Sequence, residues 1–440
     1  MRNGILERQI IQKDTIKASE CDGLDSSPAR RYNEKKRKEV TKYMIFKQFQ
    51  ELSLSSLGFG AMRLPLLADG TTIDQQALDR MVDAAMEAGV NYYDTAHPYH
   101  GGMSEVAIGK SLARYPRDSW YLADKFPGHQ NVPGVRELQP EEIFEEQLKR
   151  CSVDYFDFYL LHNVNENSMR YYCNPDKHYL DYFLQQKENG RIRHLGFSCH
   201  AGPDALKQFL DQFGKYMEFC QIQLNYLDWK LQDAGKKCDL IREAGLPVWV
   251  MEPVRGGKLA SLGEETEAEM RALRPEESTA AWAFRWLQTI PQPTVVLSGM
   301  SNQAQMEDNI RTFSTEAPLN KEELALLDKI AKSMSGSIPC TACRYCCAGC
   351  PMEIDIPKLL NMANETQLGK VSINIMMRYS AIEEGKRAED CIACGQCREV
   401  CPQKIDVPAE LKKLSEKLAG QTTWEEVCRQ REAAAAAAKK

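Results

Sequence analysis

Between Leu57 and Phe313 the sequence repeats one unit: a short apolar run, a turn, and an amphipathic stretch with apolar residues three and four apart. That alternation is the mark of strands followed by helices. The apolar runs cover Leu57 to Gly60, Val90 to Tyr93, Trp120 to Ala123, Phe156 to Leu161, Ile192 to Phe197, Phe219 to Gln223, Pro247 to Met251 and Thr294 to Leu297. The intervening helices include Asp74 to Ala88, Pro140 to Cys151 and Ser278 to Thr289. Eight such units in about 250 residues fit a closed (β/α)8 TIM barrel, whereas a doubly wound sheet usually has fewer strands. No G-x-G-x-x-G follows the first run, which argues further against a Rossmann-type dinucleotide fold.

The chain has 440 residues and is too long for the barrel alone. Its 56 basic and 62 acidic residues leave a net charge of -6, which gives no long-range attraction for nucleic acid or an anionic membrane. A small molecule or a protein is the expected partner. The basic run "RRYNEKKRKE" in residues 1–43 admits a nucleic-acid arm, but a solvated, disordered extension fits better. Met44 opens the first patterned segment, as it would after an upstream translation start. The first twenty residues lack the apolar core of an export signal, and no segment offers the ~20 apolar residues of a spanning helix. A cytoplasmic location is expected, with thiols reduced or bound to metal. Residues 423–440, ending in "EAAAAAAKK", read as a helical or frayed tail without chemistry.

In a barrel of this kind, reactive groups sit where strands run into loops. "YYDTAHPYHGG" after the second run carries Asp94 and Tyr99, "LADKFPG" after the third carries Lys125, and "FYLLHNV" after the fourth carries His162. Together they suit delivery of a proton to a carbonyl oxygen while a hydride reaches its carbon. A tyrosine, pKa about 10, can act as the acid if a neighbouring ammonium stabilises its phenolate and so lowers its pKa. Asp94 would keep Lys125 charged, and His162 would hold the carbonyl in line. Taken singly, an Asp or Lys at a strand end is more often half of a structural ion pair, and a lone His a core residue. The joint pattern favours chemistry.

These residues resemble the aldo/keto reductase family, whose catalytic set is an Asp, a Tyr five positions later, a Lys after the third strand and a His after the fourth. The resemblance runs from about Phe46 to Phe313 and includes "LGFGAMRLP", "GFSCH" and "QIQLNY". It implies reversible reduction of an aldehyde or ketone by NADPH or NADH, with Tyr99 as general acid. It also implies cofactor contacts at Gly60, Met62, Ser198, Gln221, Met251, Gly299, Asp308 and Asn309, with Ser198 and Gln221 at the carboxamide and Asp308 and Asn309 near the adenine. Cys199 and Met251 depart from a frequent Asn and a frequent aromatic ring. Gly299 and Gln305 stand where many members carry a Lys and an Arg that clamp the NADP 2'-phosphate, so the choice between NADPH and NADH stays open.

Ten of the 16 cysteines lie beyond residue 339. "CTACRYCCAGCP" and "CIACGQCREVCP" share the spacing C-x2-C-x2-C-x3-C-P, and the likeness continues through "CPMEIDIP" and "CPQKIDVP". This is the bacterial-ferredoxin signature of [4Fe–4S] clusters, in which the fourth cysteine ligates the other cluster. The expected ligand sets are therefore Cys340, Cys343, Cys346 and Cys401 for one cluster, and Cys391, Cys394, Cys397 and Cys350 for the other. Cys347 is off the template. Zinc is the competing reading, because C-x2-C pairs also suit tetrahedral sites. "IPKLLNMANETQLGK" and "VSINIMMRYSAIEEGKRAED" between the motifs read as helices, and the segment is similar to α-helical ferredoxin domains, including those found after aldo/keto reductase barrels in anaerobes.

The expected organisation is an extension over 1–43, a reductase barrel over 44–333, a small, mostly α-helical two-cluster domain over 334–422 and a tail over 423–440. Hydride transfer moves two electrons and each cluster accepts one. The clusters are thus expected to serve an external ferredoxin or flavoprotein, to be structural, or to meet a further cofactor. The rival to a carbonyl reductase is an electron-transfer component whose barrel docks a nucleotide or partner. The loop "HNVNENSMRYYCNPDKHYL" hints at a polar carbonyl substrate such as a sugar derivative.

Overall fold

Each of the eight apolar runs forms a strand of one closed parallel barrel. A computed structural model describes residues 44–438 apart from 132–136, 335–337, 339, 341–343, 368, 370 and 402, and apart from the side chains of 345 and 434–438. The expected extension over 1–43, Cys343 and Pro402 lie outside the described residues.

The chain enters through an antiparallel hairpin, β1 (Phe46–Phe49) and β2 (Leu52–Ser55), absent from the sequence expectation. The barrel strands are β3 (Leu57–Gly60), β4 (Tyr92–Asp94), β5 (Tyr121–Phe126), β6 (Phe156–Val164), β7 (Ile192–Cys199), β8 (Cys220–Gln223), β9 (Val248–Met251) and β10 (Pro293–Ser298). They follow one another around the barrel, and β10 returns to β3 with Val296 opposite Leu57. The hairpin plugs the N-terminal end. Phe49 and Leu54 pack among Tyr92, Phe158, Phe219 and Trp249, with Phe49 edge-on to Trp249 at 5.0 Å. Burying each such side chain is worth about 1.5–3 kcal/mol, and it leaves the C-terminal mouth as the open end.

The helices start where the sequence offers caps. Asp74 accepts the Ala77 N–H, Ser278 the Ala281 N–H and Asn302 the Gln305 N–H, each satisfying an amide that the first helical turn leaves free. Helix Gln75–Ala88 ends at Gly89, whose φ of 91° only glycine adopts without strain. Pro140 opens the helix that runs to Cys151.

Beyond the barrel, helices Ile356–Gln367, Ile373–Ser380 and Val407–Ala419 enclose a second core of Ile338, Ile354, Leu359, Leu360, Ile375, Val407, Leu411 and Leu414. The second predicted helix in this region stops at Ser380. Gly385, at φ 87°, lies in the following turn, and a single 3-10 turn, Ala388–Asp390, precedes the second cysteine motif. The final helix, Trp424–Ala438, is anchored by Trp424 and Cys428, which pack on Met377. No helix among the described residues is long and apolar enough to cross a membrane.

This second layer lies against the barrel mouth. Glu365 accepts hydrogen bonds from Arg378 at 2.7 Å and from Gln232 of the barrel at 3.1 Å. Asn374 meets His200 at 3.4 Å, and the Met377 sulfur lies 3.9 Å from Asn163 Nδ2.

Candidate active site

The end of β4, the turn after it, and the ends of β5 and β6 bring Asp94, Tyr99, Lys125 and His162 together. Lys125 has no exposed surface and donates to Asp94 Oδ1 at 2.7 Å and to the Thr95 carbonyl at 2.5 Å. Its Nζ lies 5.0 Å from the centroid of the Tyr99 ring, which meets the His162 ring edge-on at 5.9 Å. Burial disfavours the lysine's charge, but Asp94, helped by Tyr99 and Asp124, more than offsets it and the ammonium is held above its ordinary range.

The phenol departs from expectation. Burial dominates and pushes Tyr99 up to about 12, with Lys125 pulling the other way through its charge and a hydrogen bond. The reason is that a phenolate in a dry site loses more solvation than one ammonium returns. The consequence is a phenol fully protonated at neutral pH. Burial first, and then the neighbouring His129, keep His162 far below the usual histidine range, so its ring is neutral.

Asp94, Tyr99 and His162 floor a cavity of about 520 Å³ at the barrel mouth, the size of a small-molecule site, with Lys125 buried behind them. Barrel order divides its wall. On one side, β8, β9, β10 and β3 contribute Gln221, Met251, Gly299, Gly60 and Met62, and Asp308 and Asn309 follow on the next helix. Gln221 Oε1 is buried without a hydrogen-bond partner, an acceptor that the amine of a carboxamide would satisfy. Three other implied cofactor residues are already engaged. Asn309 donates to Ser298 at 2.9 Å, Asp308 pairs with Arg311 and accepts from Ser278 at 2.5 Å, and the buried Ser198 hydroxyl accepts the Asn163 amide at 2.8 Å. Arg63, which sequence reasoning passed over inside "LGFGAMRLP", also lines this side. A Cβ on Gly299 would stand 3.3 Å from its Cβ, so the glycine lets the arginine lie flat along the wall.

On the other side, β5, β6 and β7 contribute His129, His162, Asn163 and His200. Alternation would send His162 and Asn163 to opposite faces, yet both reach the cavity. The register of β6 with β7 shifts between Leu161 and Val164, and Asn163 takes φ 58°, the behaviour of a bulge. Gly128 serves the same wall. A Cβ there would sit 2.5 Å from Tyr172 Cε1, and Tyr172 must come this close to donate to the carbonyls of Phe126 and His162.

The roof was illegible in the sequence. Ile373, Asn374 and Met377 from the cysteine-rich domain, and Trp424 and Arg431 from the last helix, complete the lining. Trp424 is buried and stacks over His129 with ring centroids 6.2 Å apart. The segment expected to be an inert tail is therefore part of the cavity wall, because Trp424 and Cys428 bury themselves against Met377 and Trp424 reaches His129.

In the cysteine-rich domain, Cys391, Cys394 and Cys397 of the second motif and Cys350 of the first line one small cavity walled by Ile354, Ile356, Val407 and Leu411. Four thiols from two motifs in an apolar shell are a suitable donor set for an iron–sulfur cluster. Cys340 and Cys346 lie close enough to interact, with Cys347 beside them. Cys401 packs on the same core.

Two family models match the chain, the aldo/keto reductase family over residues 56–332 and the 4Fe-4S dicluster domain over residues 339–405. The second favours iron–sulfur clusters over zinc. A probable aldo-keto reductase 1 of Glycine max is 25% identical over 219 residues, covering 49% of this chain and 60% of that protein. The NADH-specific methylglyoxal reductase of Escherichia coli is 28% identical over 228 residues, covering 48% of this chain and 66% of that protein. The solved holo form of an aldo-keto reductase from Bacillus halodurans superposes with a TM-score of 0.53 at 27% identity, over 66% of this chain and 97% of that one.

Proposed function

The chain belongs to the aldo/keto reductase family and carries a 4Fe-4S domain, and from that premise we propose that it reduces an aldehyde or ketone with a nicotinamide cofactor, using Tyr99 as the acid. The observation that carries this reading is the buried Asp94–Lys125 pair beneath a protonated phenol, with a neutral imidazole alongside. When bound, the nicotinamide supplies a hydride to the carbonyl carbon.

The chain's own residues do the rest. Neutral His162 donates to the carbonyl oxygen and fixes its approach. Tyr99 gives its proton to the oxygen as negative charge develops there, and the Lys125 ammonium stabilises the phenolate left behind. Desolvation raises the barrier to forming that phenolate, but the ammonium stands where the charge appears and needs no reorganisation. Asp94 keeps the ammonium charged. Gln221 would hold the cofactor's carboxamide. Arg63 would supply the cation missing at Gly299 and Gln305 for an anionic group of the cofactor. The Escherichia coli relative is named for NADH and methylglyoxal, which makes NADH and a small dicarbonyl one candidate pair for this chain.

The cysteine-rich domain forms the substrate-side roof. The two cysteine sets would hold the clusters, which would supply one-electron transfer; linking them to a hydride pair would need a flavin-type partner, whereas a ferredoxin would trade single electrons with them.

Tyr99→Phe removes the proton and leaves the ring, and general-acid loss lowers kcat by about 10²–10⁴-fold. NAD(P)H-dependent reduction of a small aldehyde at the wild-type rate in that variant refutes the reading.

A further inference from the structure

The roof covers one sector of the mouth. Met377 meets Asn163 at the end of β6, Asn374 meets His200 after β7, and Trp424 stacks on His129 after β5. These lining residues therefore face the sector where a carbonyl must sit beside Tyr99 and His162, while elsewhere the same domain reaches Gln232 after β8. The cavity wall has a charge asymmetry to match. Its carboxylates are Asp94, paired with Lys125, and Glu252 and Asp308, which follow β9 and β10. Among the described residues that line the cavity from the β5–β7 side and the roof, none is acidic.

That side is instead lined with neutral donors and one fixed cation. Burial holds His162 far down and His200 at about 3. Arg431 stands in the cavity lining with its guanidinium 5.7 Å from the centre of the Trp424 ring, and its charge reaches His162. Trp424 is itself buried, and its indole N–H has no hydrogen-bond partner. A buried donor left unmatched costs stability unless a ligand takes it up.

Resting on the reductase reading above, we propose that the last helix selects carbonyl substrates that carry a second, anionic group, with Arg431 as the recognising residue and Trp424 as its platform. A carboxylate or a phosphate supplies the required chemistry, and both accept from a guanidinium fork. A neutral aldehyde offers the indole N–H no charged acceptor. The anion contact is present before and during reaction, so its loss raises KM more than it lowers kcat.

The test uses the full-length, cluster-loaded protein with two matched substrate pairs: succinic semialdehyde against butyraldehyde, and glyceraldehyde 3-phosphate against glyceraldehyde. In wild type, kcat/KM favours the anionic member of at least one pair, and the pair affected tells carboxylate from phosphate. In Arg431→Gln the anionic-to-neutral ratio falls on the order of 10- to 100-fold, mainly through KM, as for loss of a charged hydrogen bond. Arg431→Lys restores part of it. An unchanged ratio in both pairs overturns the proposal, as does a wild type without anionic preference. If wild type reduces none of the four, the reductase reading fails separately. Quenching of Trp424 fluorescence by succinate or inorganic phosphate, read against Trp424→Phe, then decides the anion site: quenching that Arg431→Gln abolishes supports it, and no quenching overturns it.

Discussion

Asp94→Asn keeps the shape of the buried pair and removes one charge from it. Lys125 is wholly enclosed, its Nζ 2.7 Å from the carboxylate, and burial is the largest influence against its charge. Neutralising one partner of a buried pair costs about 3–5 kcal/mol. At about 1.4 kcal/mol per tenfold, that favours the neutral amine by a factor of about 10²–10⁴. A neutral Lys125 cannot stabilise the Tyr99 phenolate, so turnover is lost wherever the lysine has lost its proton. The sign follows from the pairing. Asp94 raises the lysine's pKa, so the charged form persists to high pH in wild type, and in the variant it is lost as pH rises through a much lower value. The assay is kcat/KM for reduction of a small aldehyde across pH 6 to 9, with saturating nicotinamide. The alkaline limb of the variant should move toward neutrality, and activity should recover at the acid end of the range. A profile of wild-type shape, lowered equally at every pH, would show that Asp94 acts without setting the lysine's charge, and the reasoning would fail.

Other outcomes follow from the same geometry. Arg63→Gln should weaken binding of whichever nicotinamide cofactor the protein uses on the order of 10-fold or more, as expected for a charged contact; equilibrium titration of NADPH and NADH against wild type checks it, and equal affinity refutes the role. Stripping iron with a chelator under air should loosen the roof, because metal binding is part of the folding free energy of so small a domain; limited proteolysis should then cut within 340–438 while the barrel's far-UV signal persists. Burial alone would raise the Glu218 carboxyl, but hydrogen bonds from His194, Lys187, Gln50 and the Leu195 amide hold it down to about 2 against an ordinary 4.5. It therefore contributes on the order of 3 kcal/mol, fully present above about pH 4.5 and lost as pH falls toward 2. Glu218→Gln should lower the denaturant midpoint at pH 7 and converge with wild type as pH drops; a constant gap between them counts against the account.

The sequence by itself determined the elements and the chemical cast. Strand periodicity is local, so the apolar runs from Leu57 to Leu297 announced the barrel, and β3 begins and ends where the pattern does. Because barrel strands deliver their last residues to a common rim, Asp94, Tyr99, Lys125 and His162 were legible as one group, and cysteine spacing named the metal chemistry. Tertiary structure decided what depends on residues distant in the chain. Asn163 joins the wall through a slip of register that no alternation rule foresees. Burial, a sum over every neighbour, set the protonation of Tyr99 against the expectation from Lys125 alone. Trp424 and Arg431 look like punctuation in an alanine-rich tail, and they become a pocket wall only because the cysteine-rich domain folds back over β5, β6 and β7 and carries them there.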